Sequence, residues 1–220
     1  MTSTSPAGAR EPGGDGIYPS SRPERILLVA AIAIASIGLG YLFFTQLWWK
    51  VPPDFGCAPD FESRGLCTWV GKEVRYADEP HTLLQADIVP SRPGPELGVP
   101  MRWASNLNAV FVENVVQANI RVFGWIIFAS EAFIFLTLTL GFMSRLGALV
   151  AIGMSLQLAV GLAHTPDEWE WSYLLMVLLS VVLFGLAPGR YFGLDRLLRP
   201  RLKALKDRGS RVGRLLLVFT

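Results

Sequence analysis

Charge is scarce in this 220-residue chain. Asp, Glu, Lys and Arg make up only 17% of it, where a soluble domain needs roughly 25% to wet its surface. Mean hydropathy is +0.39, which excludes a disordered chain and argues against most soluble enzymes. Cysteine is nearly absent. Two residues cannot build a disulfide-dense scaffold or a thiolate zinc site. The net charge of +2 gives no basis for a nucleic-acid partner. Phosphate-binding glycine loops, G-x-S-x-G and C-x-x-C-H are all missing. His81 lies in a loop and His164 at the end of an apolar run, so no histidine pair at mid-membrane depth could hold haem. No cluster of metal ligands is visible, and neither metal nor haem is expected.

What the chain does have is length without charge. Four apolar runs cover 26–49, 122–144, 146–163 and 172–188, and Glu131 is the only charged residue among their 82 positions. A helix needs about 17–25 residues to cross the hydrocarbon core, so each run fits a span. The first is too long for a signal-peptide core. It ends in Trp48, Trp49 and Lys50, an aromatic belt with a snorkelling lysine. The fold class is therefore all-α: an integral membrane four-helix bundle.

Basic residues set the expected orientation. Nine Lys and Arg follow Gly189, and one arginine sits in the expected turn at Ser144–Arg145. The loop 164–171 has three acids and no Lys or Arg. By the positive-inside rule both termini face the cytoplasm, and 51–121 forms an extracytoplasmic cap. Residues 1–24, rich in Ser, Pro and Gly, read as a disordered cytoplasmic tail. Residues 199–220 read as a basic amphipathic tail attracted to anionic lipid, its helix interrupted by Pro200. Within the cap, Thr68, Trp69, Val70, Val74 and Tyr76 predict a short strand pair around 67–76. Helical spacing from Trp103 to Arg121 predicts an amphipathic helix at the outer interface, feeding the second span. The other reading is a helix packed on the cap. Cys57 and Cys67, both outside the cytosol, are expected to form a disulfide. Their spacing is not C-x-x-C, which favours a structural bond over a redox-active pair.

An ionisable residue inside a span suggests function, and Glu131 is the candidate acid–base group. At 1.5 Å per residue it lies ~20 Å above the inner boundary, with Gln157 at ~18 Å and Tyr41 and Tyr173 at ~24–25 Å. These would form a polar layer in the outer half of the bundle, with Gln46, Lys50 and His164 nearer the surface. Such groups must find each other or a ligand. A quinone headgroup, with two carbonyl acceptors, suits a protonated Glu or a Gln amide. The alternative is a polar clasp that only joins helices.

Three stretches resemble the DoxX/DoxD-like family of small four-helix membrane proteins over about 25–198. They are Gly40-Tyr-Leu-Phe-Phe-Thr-Gln-Leu-Trp-Trp-Lys50 with Val-Pro-Pro-Asp-Phe-Gly56; Glu131 followed by Gly141-Phe-Met-Ser-Arg145; and Pro188-Gly-Arg-Tyr-Phe-Gly-Leu-Asp195. The first looks closest to the DoxD branch, a subunit of a thiosulfate:quinone oxidoreductase. The resemblance implies a multi-pass subunit in a prokaryotic cytoplasmic membrane, taking electrons from a sulfur-type donor to quinone. It implies Glu131 as the proton-exchanging group, and Lys50 and Arg145 as holders of anionic or quinone groups. A second protein subunit would carry any metal or flavin, and homo-oligomers are compatible with it. A non-catalytic membrane scaffold, or a carrier of a small hydrophobic or anionic molecule, is the alternative function.

Overall fold

The computed structural model describes residues 21–57, 65–78, 82–83, 99–166 and 168–220. His81 and most of the expected 1–24 tail lie outside these. The first helix, α1 (Arg22–Leu47), starts inside that expected tail. Ser21 and Glu24 close a reciprocal capping box there, which satisfies two orphan N-terminal donors. A short cap helix, α2 (Leu66–Arg75), follows. Next come α3 (Arg102–Phe111) and α4 (Ile120–Leu140), joined by a π-turn, Val112–Val116, and a 3₁₀ turn, Gln117–Asn119. The chain continues through α5 (Ser144–Leu162) and α6 (Glu170–Leu186) to α7 (Asp195–Asp207) and α8 (Arg211–Phe219). Four helical stretches are long and apolar enough to span a membrane. The protein is thus an all-α membrane bundle.

The bundle closes as a ring in which α1 packs on α4, α4 on α5, α5 on α6 and α6 back on α1. Its centre is Leu39, Phe43, Ile134, Leu138, Ala148, Ala151 and Leu183. Small residues let the helices close up. A Cβ at Gly147 would meet Cβ of Thr137 at 2.8 Å. Ser36 Oγ donates to the Leu138 carbonyl at 2.8 Å. Ile34, Leu136, Leu149 and Leu178 point outward, the inside-out pattern expected where the solvent is hydrocarbon.

The second span ends at Leu140, four residues earlier than expected. Gly141 adopts φ +61°, a left-handed conformation that glycine takes without Cβ strain. The turn is consequently Gly141–Met143, and Ser144 opens α5. Asp195, fully buried, accepts from Met143 N (2.6 Å), Ser144 N (2.9 Å) and Ser144 Oγ (2.8 Å). It caps α5 from the far side of α6. Asp195 N in turn donates to the Gly141 carbonyl at 2.9 Å. The motifs around Gly141–Arg145 and Pro188–Asp195 are therefore the two halves of one joint.

Two expectations are corrected. Residues 66–75 form a helix, not a strand pair. Leu66, Val70 and Glu73 are buried at i, i+4 and i+7, and packing that face overrides the strand propensity of Thr, Trp and Val. The strand pairing seen among the described residues joins Thr82–Leu83 to Val99–Pro100. Second, α7 runs through Pro200. The chain breaks at Gly209 instead (φ +84°), and α8 folds back on α7.

The helical stretch expected over 103–121 is present as α3 and the two turns that follow it. Ser105 and Ala109 face inward, and Ser105 Oγ donates to the Val160 carbonyl of α5 at 2.9 Å. Trp103, Leu107 and Val110 face out.

Candidate functional site

The half of the bundle that carries the Cys57–Cys67 cap is hollow. A cavity of about 480 Å³ lies between α1, α4, α5 and α6, roofed by α2 and the α3–α4 junction. Its walls are mainly apolar, including Phe43, Phe111, Phe123, Ile127, Met154 and Met176.

The roof is built by the stretch after α1. Phe55 is buried against α4, where a Cβ at Gly124 would sit 2.6 Å from its ring. Its carbonyl accepts from Leu66 N at 3.1 Å. Cys57 and Cys67 are disulfide-bonded, tying the Phe55 turn to the first turn of α2. Leu66 and Val70 then pack with Phe55, Val112 and Val116 into a second core.

Two polar poles face the cavity. At the first, Lys50 Nζ donates to Glu131 Oε1, and both residues are buried, at 6% and 2% exposure. The Lys50 ammonium also stands 4.3 Å from the centre of the Trp49 ring. Glu131 Oε2 is buried with no hydrogen-bond partner among the described residues. Burial pulls the Lys50 ammonium below its ordinary value, while the Glu131 charge opposes that shift.

The second pole is Glu73 of α2. Its Oε2 accepts from Asn108 Nδ2 of α3 at 2.7 Å and from Gln157 Nε2 of α5 at 2.8 Å. Gly161 makes room for it, since a Cβ there would meet the Glu73 Cγ at 2.9 Å. Burial raises the Glu73 carboxyl above the ordinary range, and the two amide bonds offset part of that shift. Nearby, Tyr173 OH donates to Glu168 Oε2 at 2.7 Å, and Lys72 Nζ lies 3.5 Å from Glu168 Oε1.

The expected polar layer is thus largely assembled. Glu131, Lys50, Gln46, Gln157 and Tyr173 all line the cavity. Two expected members, Tyr41 and His164, stand apart from it. Tyr41 is 58% exposed on the outer surface of α1, because equal depth did not imply the same helix face. His164 lies just past the end of α5, outside the lining. Arg145 sits at the opposite end of the bundle. It donates to the Phe184, Gly185 and Val218 carbonyls, closing the C-terminus of α6, so its geometry is that of a helix cap. Glu73 was missed by sequence reasoning. The signal was its i+7 position on the Leu66–Val70 face, legible once 66–75 is read with a helical period.

Fold and site together define a multi-pass membrane protein of the four-helix type with a ligand-sized polar-ended cavity in one half of the bundle. The family model described as TQO small subunit DoxD matches residues 101–217, and the chain belongs to that family. No curated protein and no solved structure matches the chain. A small subunit implies a larger assembly, which supports the expected partner subunit.

Proposed function

We propose that this protein is the membrane subunit of a redox complex that delivers electrons from a reduced-sulfur donor to quinone, and that the cavity is the quinone site. One observation carries the reading. Glu131 buries a carboxylate oxygen with no partner among the described residues at the wall of an apolar cavity, and an unsatisfied buried polar group costs about 1–3 kcal/mol. A ligand end that donates a hydrogen bond, as the hydroxyl of a quinol does, removes that cost. The volume lies within the ordinary ligand-pocket range of about 300–1,000 Å³.

The charges select the ligand class. Glu131 neutralises Lys50, and Glu73 and Glu168 add further carboxyls to the lining. A sulfur oxyanion would meet no uncompensated cation there, whereas a neutral lipid-soluble ring suits the apolar walls and the Trp49 and Trp69 rings, 6.2 Å apart. The sulfur donor therefore binds elsewhere, on the partner subunit or the outer face. A bound quinone accepts two electrons and two protons. Lys50 donates to one carbonyl and supplies a proton there, and Glu131 Oε2 accepts from the hydroxyl that forms. The expected topology, with both termini in the cytoplasm of a prokaryotic cell, places the cavity in the outer leaflet.

The test is saturable quenching of Trp49 and Trp69 fluorescence by menadione in the full chain held in nanodiscs. Glu131→Gln removes the counter-charge that favours the Lys50 ammonium, so binding should weaken about tenfold, the effect of losing about 1.4 kcal/mol. Absence of saturable quenching by the wild-type protein refutes the reading.

A further inference from the structure

We propose that Glu73 is the second ligand-binding acid of the cavity, a protonated carboxyl that hydrogen-bonds the far carbonyl of the bound quinone and hands it a proton when the ring is reduced. This rests on the quinone reading of the cavity and adds its second pole.

The geometry singles out one oxygen. Both amide donors, Asn108 Nδ2 and Gln157 Nε2, converge on Glu73 Oε2. A proton on this carboxyl therefore belongs on Oε1, since Oε2 already faces two N–H groups. Neither amide reaches Oε1, and Glu73 lines the cavity. A protonated carboxyl held in this way is an acceptor at one oxygen and a donor at the other. The first pole approaches from α4 and the end of α1, the second from the roof and α5. The two poles thus come from different walls of one apolar chamber, as a ring with two opposed carbonyls requires.

The groups around Glu73 keep its proton in place. α3 and α5 present uncharged amides. The segment leading into α6 presents Glu168, which accepts from Tyr173 OH and lies beside Lys72. Lys72, on the same helix, turns to Glu168 and to the Trp69 ring. Lys50, the cation in the cavity wall, is engaged by Glu131. Burial supports the same state. The balance closes when the ring is reduced. Two electrons come from the reduced-sulfur donor, and one proton comes from each pole.

The roles separate by pH. Menadione binding to the full chain in nanodiscs is measured by tryptophan quenching from pH 5 to 9. In the wild type, affinity should fall by about tenfold per pH unit once Glu73 ionises, because the donor is lost. Glu73→Gln keeps a permanent N–H donor, so binding should persist and become independent of pH over that range. Glu131→Gln should bind more weakly throughout yet keep the wild-type slope. An unchanged slope in Glu73→Gln, with binding intact, overturns the assignment. If the wild type does not bind menadione, the quinone reading fails and this inference falls with it. Should Glu73→Gln not fold, difference infrared spectra of Glu131→Gln with and without menadione decide the matter. A perturbed protonated-carboxyl band supports Glu73, and its absence overturns it.

Discussion

Removing one partner of the Lys50–Glu131 pair should damage the protein more than removing both. Lys50 is 6% exposed and Glu131 2%. They hydrogen-bond each other across the end of α1 and the middle of α4. Glu131→Ala leaves an ammonium buried without its counter-charge, at a cost of about 3–5 kcal/mol. For a chain this long each kcal/mol moves the melting point by roughly 2–4 °C, so the midpoint should drop by ~10 °C. The double variant Lys50→Met, Glu131→Leu removes both charges and fills the space with apolar atoms, a change that is often neutral or stabilising by about 1–4 kcal/mol. It should melt within a few degrees of wild type. Thermal unfolding in detergent, followed by far-ultraviolet circular dichroism, measures all three proteins. A double variant as unstable as the single one would show that the loss is packing, not stranded charge, and would refute the reasoning. The stable double variant should also fail to quench with menadione, which separates the pair's role in binding from its role in folding.

Asp195→Ala removes three hydrogen bonds from the buried start of α5. With charge-assisted bonds at about 1.5–3 kcal/mol each, a loss of at least ~4.5 kcal/mol is expected by the same thermal assay, with Asp195→Asn less severe. Cys57→Ser with Cys67→Ser opens a ten-residue separation. It should cost the cap ~3 kcal/mol by chain entropy, seen as faster amide exchange in α2 while α5 and α6 stay protected. Glu73 has a raised folded-state pKa, so the native state binds the proton more tightly than the unfolded one. Stability should therefore fall as pH rises above the unfolded value of 4.5, until the folded pKa is passed. Melting curves at stepped pH should show this decline in the wild type and a flatter profile in Glu73→Gln.

The bundle was legible because hydrocarbon imposes a strong rule: four nearly charge-free runs of spanning length suit few folds besides a membrane bundle. Depth along a helix was legible too, and it paired Glu131 with Gln157 in one layer. Azimuth was not, because helices this apolar have almost no polar side to orient them. That is why Tyr41 was placed inward and lies outward. The contacts of Arg145 were not legible for a related reason. A basic residue at a span end fits a headgroup, a ligand or a helix C-terminus equally, and only the α6 carbonyls decide. The roof helix was lost to local propensity. Thr68, Trp69, Val70 and Val74 favour strands, whereas the face that matters is Leu66, Val70 and Glu73, and its value comes from Val112 and Val116, far downstream in the chain.

The roof also has a consequence for how the protein matures. Four spans can insert and associate while the chamber is still open, since Glu73 and the tryptophan of α2 arrive on a separate segment. That segment is held by the Cys57–Cys67 bond together with the packing of Leu66 and Val70 on Val112 and Val116. On the proposed reading of the cavity, the site is complete only once α2 has docked on the bundle. A chain stalled before that step would be a complete bundle with an unfinished site, and its two acids would not yet share a chamber.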